Sequence, residues 1–260
     1  MLHIGIIGCG AIAEAIVKGL SDLDRVKITG LYDRNPEKIL RLSKLLKNPP
    51  KAFDFKKMLD LSDLIIEAAS QEAVSEFIPP ALEKGKDVMI LSVGALGDDK
   101  LFRRIKNISE ANACKVYIPS GAIAGVDGIK AGAALKIERV RLTTIKPPEA
   151  FGIEVGANST EEVLFEGSAR EAVRRFPQNV NVALTLSLAG IGADLTEVRI
   201  IKDPAIDGNI HEIEVEGAFG RIGIRLENLP SPKNPKTSFL APLSAIAMIK
   251  RISEPIEIGT

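Results

Sequence analysis

Tryptophan is missing from this chain of 260 residues, and tyrosine, histidine and cysteine occur only twice each. So few rings leave little on which to stack bases. The 34 basic and 34 acidic residues cancel to a net charge of zero with no basic tract, which argues against a nucleic-acid groove. Cys9 and Cys114 lie too far apart for any metal-ligand spacing and sit in apolar, strand-like surroundings. They read as reduced, buried thiols, and no metal site is assigned. No apolar run approaches the ~20 residues needed to cross a bilayer. The opening "MLHIGIIGCG" enters a strand pattern without a basic region or cleavage site, so a cytoplasmic chain without a leader is expected. What remains is an ordinary globular composition, 45% hydrophobic and 26% charged, long enough for two modest domains.

The first half alternates strand and helix. Residues 2–8, 26–33, 63–69, 87–93 and 115–119 are short apolar strands, and 11–22, a segment opening at Pro36, 71–84 and 98–111 have helical spacing. Strands apolar along their whole length, separated by helices, imply a parallel sheet covered on both faces and doubly wound. The second half alternates polar and apolar residues at 139–145, 197–203, 211–217 and 221–227, with Ala218-Phe219-Gly220 suited to a hairpin. That pattern implies a largely antiparallel sheet with one wet face. Helices at 169–176 and 181–190 would cover the dry face. The expected fold class is therefore α/β, a Rossmann-type domain over 1–118 completed by a carboxy-terminal helix within 234–260. An α+β domain over 119–233 follows it.

Gly8-Cys9-Gly10-Ala11-Ile12-Ala13 stands between the first strand and the first helix, and Asp33 ends the second strand. This is the context the dinucleotide fingerprint requires. Gly8 permits the tight turn and Gly10 lets the backbone approach the pyrophosphate. Ala11 and Ile12 open the helix whose free N–H groups face the phosphates, and Ala13 packs where a third glycine often stands. Asp33 suits the adenosine ribose hydroxyls and so favours NAD; Arg34 beside it can take a 2′-phosphate, which keeps NADP open. Ala69 and Ser70, in the loop after the third strand, and Ser92-Val93-Gly94 after the fourth lie where ligands of such sheets collect. Short serine and glycine clusters also form ordinary turns.

In "DGNIHEIEVEG", residues 207–217, His211, Ile213 and Val215 share one face and Glu212, Glu214 and Glu216 the other. Three glutamates mark the wet face, so His211 begins a buried row. By itself such a histidine is more often structural than catalytic. The glutamates have no His or Cys beside them to suggest a metal. His3 begins the first strand and reads as structural.

The blocks "EAASQEAV" (67–74), "LSVGAL" (91–96), "PSGAIAGVDGI" (119–129), "FPQNVNVALTLSLA" (176–189), "DGNIHEI" (207–213) and "NPKTSFLA" (234–241) follow one another in this order. Together they resemble the L-aspartate dehydrogenase family, whose fold is similar to the homoserine dehydrogenase and dihydrodipicolinate reductase group. The resemblance implies oxidation of L-aspartate to iminosuccinate with NAD or NADP. The imine then hydrolyses to oxaloacetate and ammonia or feeds quinolinate and NAD biosynthesis. It also implies that His211 is the active-site histidine and that Ala122 and Asn181 contact the nicotinamide cofactor.

Hydride transfer from an amine needs a neutral nitrogen, and an imidazole can hold or accept the ammonium proton. His211 could act directly, through a water, or as an imidazolium binding a carboxylate. For the substrate carboxylates the candidates are Ser120, Gly121, Asn209, Lys236, Thr237 and Ser238, the last three placed near the start of the final helix, where a helix cap is the plainer alternative. Another small aspartate-derived dicarboxylate would be the competing substrate, and a non-catalytic NAD-binding regulator the competing class. A twofold homodimer is the expected assembly.

Overall fold

The computed structural model describes residues 1–153, 160–176, 181–232 and 234–259, with the backbone alone at 234–236. The chain forms two compact units, Met1–Pro119 with Pro242–Ile258, and Ser120–Ala241. Among the described residues no helix is long and apolar enough to cross a membrane.

In the first unit, strands β1 (Leu2–Ile7), β2 (Val26–Tyr32), β3 (Leu64–Glu67), β4 (Asp87–Ile90) and β5 (Val116–Tyr117) form one sheet in the order β2-β1-β3-β4-β5. Every neighbouring pair is parallel. The connections carry helices α1 (Ala11–Gly19), α2 (Pro36–Ser43), α3 (Phe55–Leu61), α4 (Gln71–Glu83) and α5 (Asp99–Ala111). β1 lies inside the sheet, between β2 and β3, and its Ile4 and Ile6 are fully buried, as a strand covered on both faces must be. Chain order reverses beside β1, with β2 on one side and β3 on the other. A ligand crevice therefore opens at the carboxyl ends of these strands.

The second unit contains α6 (Val126–Gly132), β6 (Ile137–Lys146), β7 (Glu162–Ser168), α7 (Ala169–Arg175), α8 (Asn181–Ala189), β8 (Glu197–Lys202), β9 (Asn209–Gly217) and β10 (Gly220–Asn228). Its sheet runs β10-β9-β6-β8-β7. β6 and β8 are parallel and the other neighbours antiparallel, so the sheet is largely, not wholly, antiparallel. Val140, Leu142, Ile213 and Val215 pack on its dry face with Ala172 of α7 and Ala183 and Leu186 of α8. On the wet face Glu212 pairs with Arg225, Glu214 with Arg221, and Glu216 with Arg139 and Arg221. The three glutamates are thus half of a cross-strand lattice of opposite charges.

The carboxyl-terminal region departs from expectation. Residues 234–238 form a strand, β12 (Asn234–Ser238), paired antiparallel with β11 (Pro230–Ser231). The last helix, α9, begins only at Leu240 and runs to Ser253. "NPKTS" is therefore not a helix start, and Lys236, Thr237 and Ser238 are not at a helix amino terminus. Ala245, Ile246 and Ile249 of α9 join Ile16, Val17 and Leu20 in the core of the first unit. Helices α3 and α6 and strand β7 have no counterpart in the sequence reading.

Candidate active site

The first unit contributes a cleft of about 440 Å³ at the ends of β1, β2 and β3, lined by Gly8, Gly10, Asp33, Arg34, Ala69 and Ser70 among others. Gly8 has φ +90°, and a Cβ there would lie 2.6 Å from the Ala68 carbonyl oxygen, so only glycine makes this turn without strain. Gly10 differs. A Cβ on it would meet nothing within 4 Å, so protein packing does not account for the missing side chain. Gly10 is also the N-cap of α1 and offers no side-chain cap. The helix therefore presents uncapped N–H donors to open space, which is what a pyrophosphate needs. Ala11 and Ile12, half-buried, form the first turn.

Asp33 is fixed by two backbone donors. Cys9 N–H donates to its Oδ2 and Asn35 N–H to its Oδ1, each at 2.8 Å. Each oxygen keeps a further acceptor site, enough for two ribose hydroxyls. Arg34 points its guanidinium to Glu76 of α4 at 2.5 Å. Ser70 caps α4, accepting from Ala73 N–H at 3.3 Å. Glu67, fully buried, accepts from the N–H groups of Ala69, Ser70 and Ser92 and from the Ser92 hydroxyl at 2.8–3.0 Å. It ties together the loops after β3 and β4. Burial pushes its pKa up, against the pull of those four donors. These residues fit a dinucleotide.

The second unit contributes a polar end to an otherwise apolar face. Alternation places Val140, Leu142, Thr144 and Lys146 on one face of β6, and Val215, Ile213, His211 and Asn209 on the same face of β9, with Thr144 opposite His211 in register. The first two of each row belong to the core; the last two are polar and equally buried. Thr144 Oγ1 and His211 Nδ1 are 3.0 Å apart. At 3% exposure, His211 has its pKa lowered to about 3, first by desolvation and then by the positive charge of Lys146. Lys146, itself 7% exposed, is lowered to about 8 by desolvation. The imidazole is therefore neutral near pH 7, which weighs against the imidazolium role.

Asn209 donates from Nδ2 to Ser238 Oγ at 3.2 Å, both buried. Its register partner on β10 is Asn228, which donates from Nδ2 to the Ala122 carbonyl at 3.0 Å. His211, Asn209, Ser238 and Ala122 are thus drawn to one end of the sheet. Ser120 and Gly121 precede Ala122, with Gly121 at φ +66°. Thr237 is half-buried on β12, and Asn181, exposed, is the first residue of α8. The Lys236 side chain and residues 177–180 of the "FPQNVNVA" block lie outside the described residues. His3 is partly exposed and bonds Asp63 at 3.1 Å.

Sequence reasoning missed Thr144, Lys146 and Asn228. For Lys146 a signal was available, since it has the parity of the buried row and follows directly on the strand read at 139–145.

Comparison with known proteins agrees with this layout. A family model described as homoserine dehydrogenase, NAD binding domain, matches residues 8–119, and one described as aspartate dehydrogenase, C-terminal, matches 127–252. An L-aspartate dehydrogenase of Methanosarcina barkeri is 49% identical over the full length of both chains. One of Methanothermobacter thermautotrophicus is 44% identical, covering all of this chain and 99% of its own. The crystal structure of aspartate dehydrogenase from Thermotoga maritima superposes with a TM-score of 0.81 over both whole chains at 29% identity. A scyllo-inositol dehydrogenase of Lactobacillus casei, at 16% identity and a TM-score of 0.60 over 100% of this chain and 91% of its own, shares the fold. With full-length identity well above what fold alone produces, the chain belongs to the L-aspartate dehydrogenase family.

Proposed function

We propose that this chain oxidises L-aspartate to iminosuccinate, which water converts to oxaloacetate and ammonia or which passes on to quinolinate formation. The observation that carries the reading is a neutral, buried histidine held at the polar end of a sheet face, in a chain matching aspartate dehydrogenases from end to end. A nicotinamide dinucleotide held by Gly8, Gly10, Asp33 and the amino end of α1 would supply the hydride acceptor for Cα. The chain's own residues handle protons and position. In the tautomer whose Nδ1–H donates to Thr144 Oγ1, the lone pair of His211 lies on Nε2, where it can accept from the substrate ammonium or from a water that later attacks the imine. Both roles need the neutral ring that burial supplies. Ala122 and Asn181 are read as nicotinamide-side contacts. Ser120, Gly121, Asn209, Thr237 and Ser238 are read as lining the substrate, with Lys236 kept on sequence grounds.

NAD is the preferred cofactor in this reading, because Asp33 is fixed to receive ribose hydroxyls and its charge opposes a 2′-phosphate. Arg34 is the group that would accept that phosphate, and it is engaged by Glu76. We place the chain in the cytoplasm, where the nicotinamide pool is, and read it as a homodimer.

The test is nicotinamide reduction followed by absorbance, with NAD or NADP and a panel of L-amino acids. Turnover with L-aspartate alone, faster with NAD, is expected. Normal NAD binding without turnover of L-aspartate with either cofactor would overturn the assignment in favour of another aspartate-derived dicarboxylate.

A further inference from the structure

β3 is the middle strand of the first sheet, and its four residues, Leu64-Ile65-Ile66-Glu67, are all buried. Three are apolar, as the interior of a parallel sheet requires; the fourth is a carboxylate. Burying a carboxylate is costly unless hydrogen-bond donors answer it, and here they come from two different loops. Oε1 accepts from Ala69 N–H and Ser70 N–H in the loop after β3 and from the Ser92 hydroxyl in the loop after β4, at 2.8–2.9 Å. Oε2 accepts from Ser92 N–H at 3.0 Å. Ser92 stands at the start of a short 3₁₀ helix, Val93–Gly97, yet its side chain does not cap it. The hydroxyl goes to Glu67 instead. Ser70 caps α4 with its hydroxyl and gives Glu67 its N–H. Serines in an ordinary turn serve the turn's own backbone, whereas here a buried charge draws two loops onto one side chain.

The sheet order decides what those loops face. Asp33 at the end of β2 suits the adenosine ribose, and Gly8 and Gly10 after β1 suit the pyrophosphate. A dinucleotide lies across the switch point of such a sheet, with one half on each side. In the order β2-β1-β3-β4, its second half therefore runs over the ends of β3 and β4, where Glu67 stands. The glycine turn is seated on the same support, since a Cβ on Gly8 would come within 2.6 Å of the Ala68 carbonyl oxygen. We infer that Glu67 is a positioning residue that pre-organises the loops after β3 and β4 to hold the nicotinamide half of the dinucleotide. This rests on the nicotinamide cofactor of the reading above. Glu67 acts through the backbone of the two loops and through Ser92. With the loops set in advance, binding does not have to order them, and one pose of the reacting ring is favoured.

The experiment titrates NAD and 5′-AMP, which carries the adenosine half alone, into the full chain by calorimetry. Wild type is compared with Glu67→Gln and Ser92→Ala. Glutamine keeps a carbonyl oxygen for Ala69 and Ser70 but sets its amide NH2 against the Ser92 N–H, donor facing donor. The loop after β4 is then released while the wall of the adenosine cleft is kept. NAD affinity should fall about 5- to 30-fold, the cost of fixing the backbone of one residue at the moment of binding, and AMP affinity should stay as it was. Ser92→Ala removes the hydroxyl and keeps the N–H, so it should lose less NAD affinity in the same direction. At saturating NAD, kcat with L-aspartate should fall and its KM hold. Should Glu67→Gln fail to fold, Ser92→Ala carries the same comparison. Equal losses of AMP and NAD affinity in a folded variant would overturn the inference, because the carboxylate would then serve the fold alone. Unchanged NAD affinity in every folded variant would overturn it as well. If the loss is confined to NAD in a chain that does not oxidise L-aspartate, Glu67 keeps its role and the proposed reaction fails. If wild type binds neither NAD nor AMP, the cofactor reading fails and the inference with it.

Discussion

The nucleotide cleft and the polar end of the second sheet are built from different materials. The cleft is mostly backbone: a turn that needs Gly8, open space over Gly10, uncapped N–H groups of α1, and one carboxylate held by two amides. The second region is mostly side chain: Thr144, Lys146, Asn209 and His211, all nearly inaccessible, in the same rows as the core residues Leu142 and Ile213. A backbone site tolerates most side chains nearby and fails when a Cβ intrudes. A side-chain site tolerates little substitution within it, because each buried polar group depends on its neighbour.

The largest expected effect lies in the second region. His211→Ala should lower kcat by about 10²–10⁴, the usual span for losing a general acid or base, while NAD affinity stays unchanged. Loss of NAD affinity in parallel would make His211 structural and erase the contrast. Next come the two glycines, which separate binding from folding. Gly10→Ala places a methyl in open space, so thermal stability should hold within about 0.5 kcal/mol, yet NAD affinity should drop roughly tenfold, about 1.4 kcal/mol. Gly8→Ala forces a side chain into a φ of +90° and against the Ala68 carbonyl, and should destabilise the fold by about 1–3 kcal/mol. Equal effects of both substitutions on melting would show that Gly10 is needed by the protein and not by its cofactor.

A smaller effect tests the support for the histidine. Thr144→Val leaves His211 Nδ1 without its partner and should cost about 1–3 kcal/mol of stability, with a several-fold fall in kcat that Thr144→Ser restores. The pH dependence of melting carries the signature of both buried bases. An exposed imidazole protonates near 6.5 and His211 only near 3, so between those values the unfolded chain holds the extra proton. Stability therefore falls as pH drops through that window. Lys146 releases its proton near 8 when folded and near 10.5 when unfolded, so stability climbs as pH rises from 8 to 10.5. Lys146→Met should flatten that alkaline limb and raise the melting temperature at neutral pH. A limb that persists in the variant would mean that another group titrates there.

The same contrast decides what could be read from sequence. Backbone demands restrict residue type, so Gly8, Gly10 and Asp33 announce the cleft by their identity and spacing. Side-chain sites depend on register. Alternation placed His211 on the buried face, but its pairing with Thr144 is a relation between strands 67 residues apart that no local pattern encodes. Lys146 is hidden for a plainer reason: a lysine just after an alternating strand looks like its solvated end. Helix α3 is only seven residues long and contains two lysines. What holds it is Met58, seated where a Cβ on Gly5 would come within 2.5 Å of its Cγ. The strand at 234–238 was mistaken for a helix start because "NPKTS" supplies capping residues just before a true helical period.

The smallest expected effect returns to the cleft, at an exposed side-chain pair. Arg34 and Glu76 are 73% and 47% exposed, and such a surface pair contributes about 0–1 kcal/mol. Its consequence is selective, because Glu76 engages the guanidinium that a 2′-phosphate would need and adds negative charge beside it. Glu76→Gln should therefore tighten NADP binding by a few-fold and leave NAD binding as it was. Arg34→Gln should weaken NADP and spare NAD. Comparing 2′,5′-ADP with 5′-AMP in the same titrations isolates the phosphate from the nicotinamide. If Glu76→Gln shifts both cofactors equally, the pair is a fastening of α4 to the loop after β2. Cofactor choice then rests on Asp33 and the backbone that holds it, and the cleft is more wholly a backbone site than Arg34 suggests.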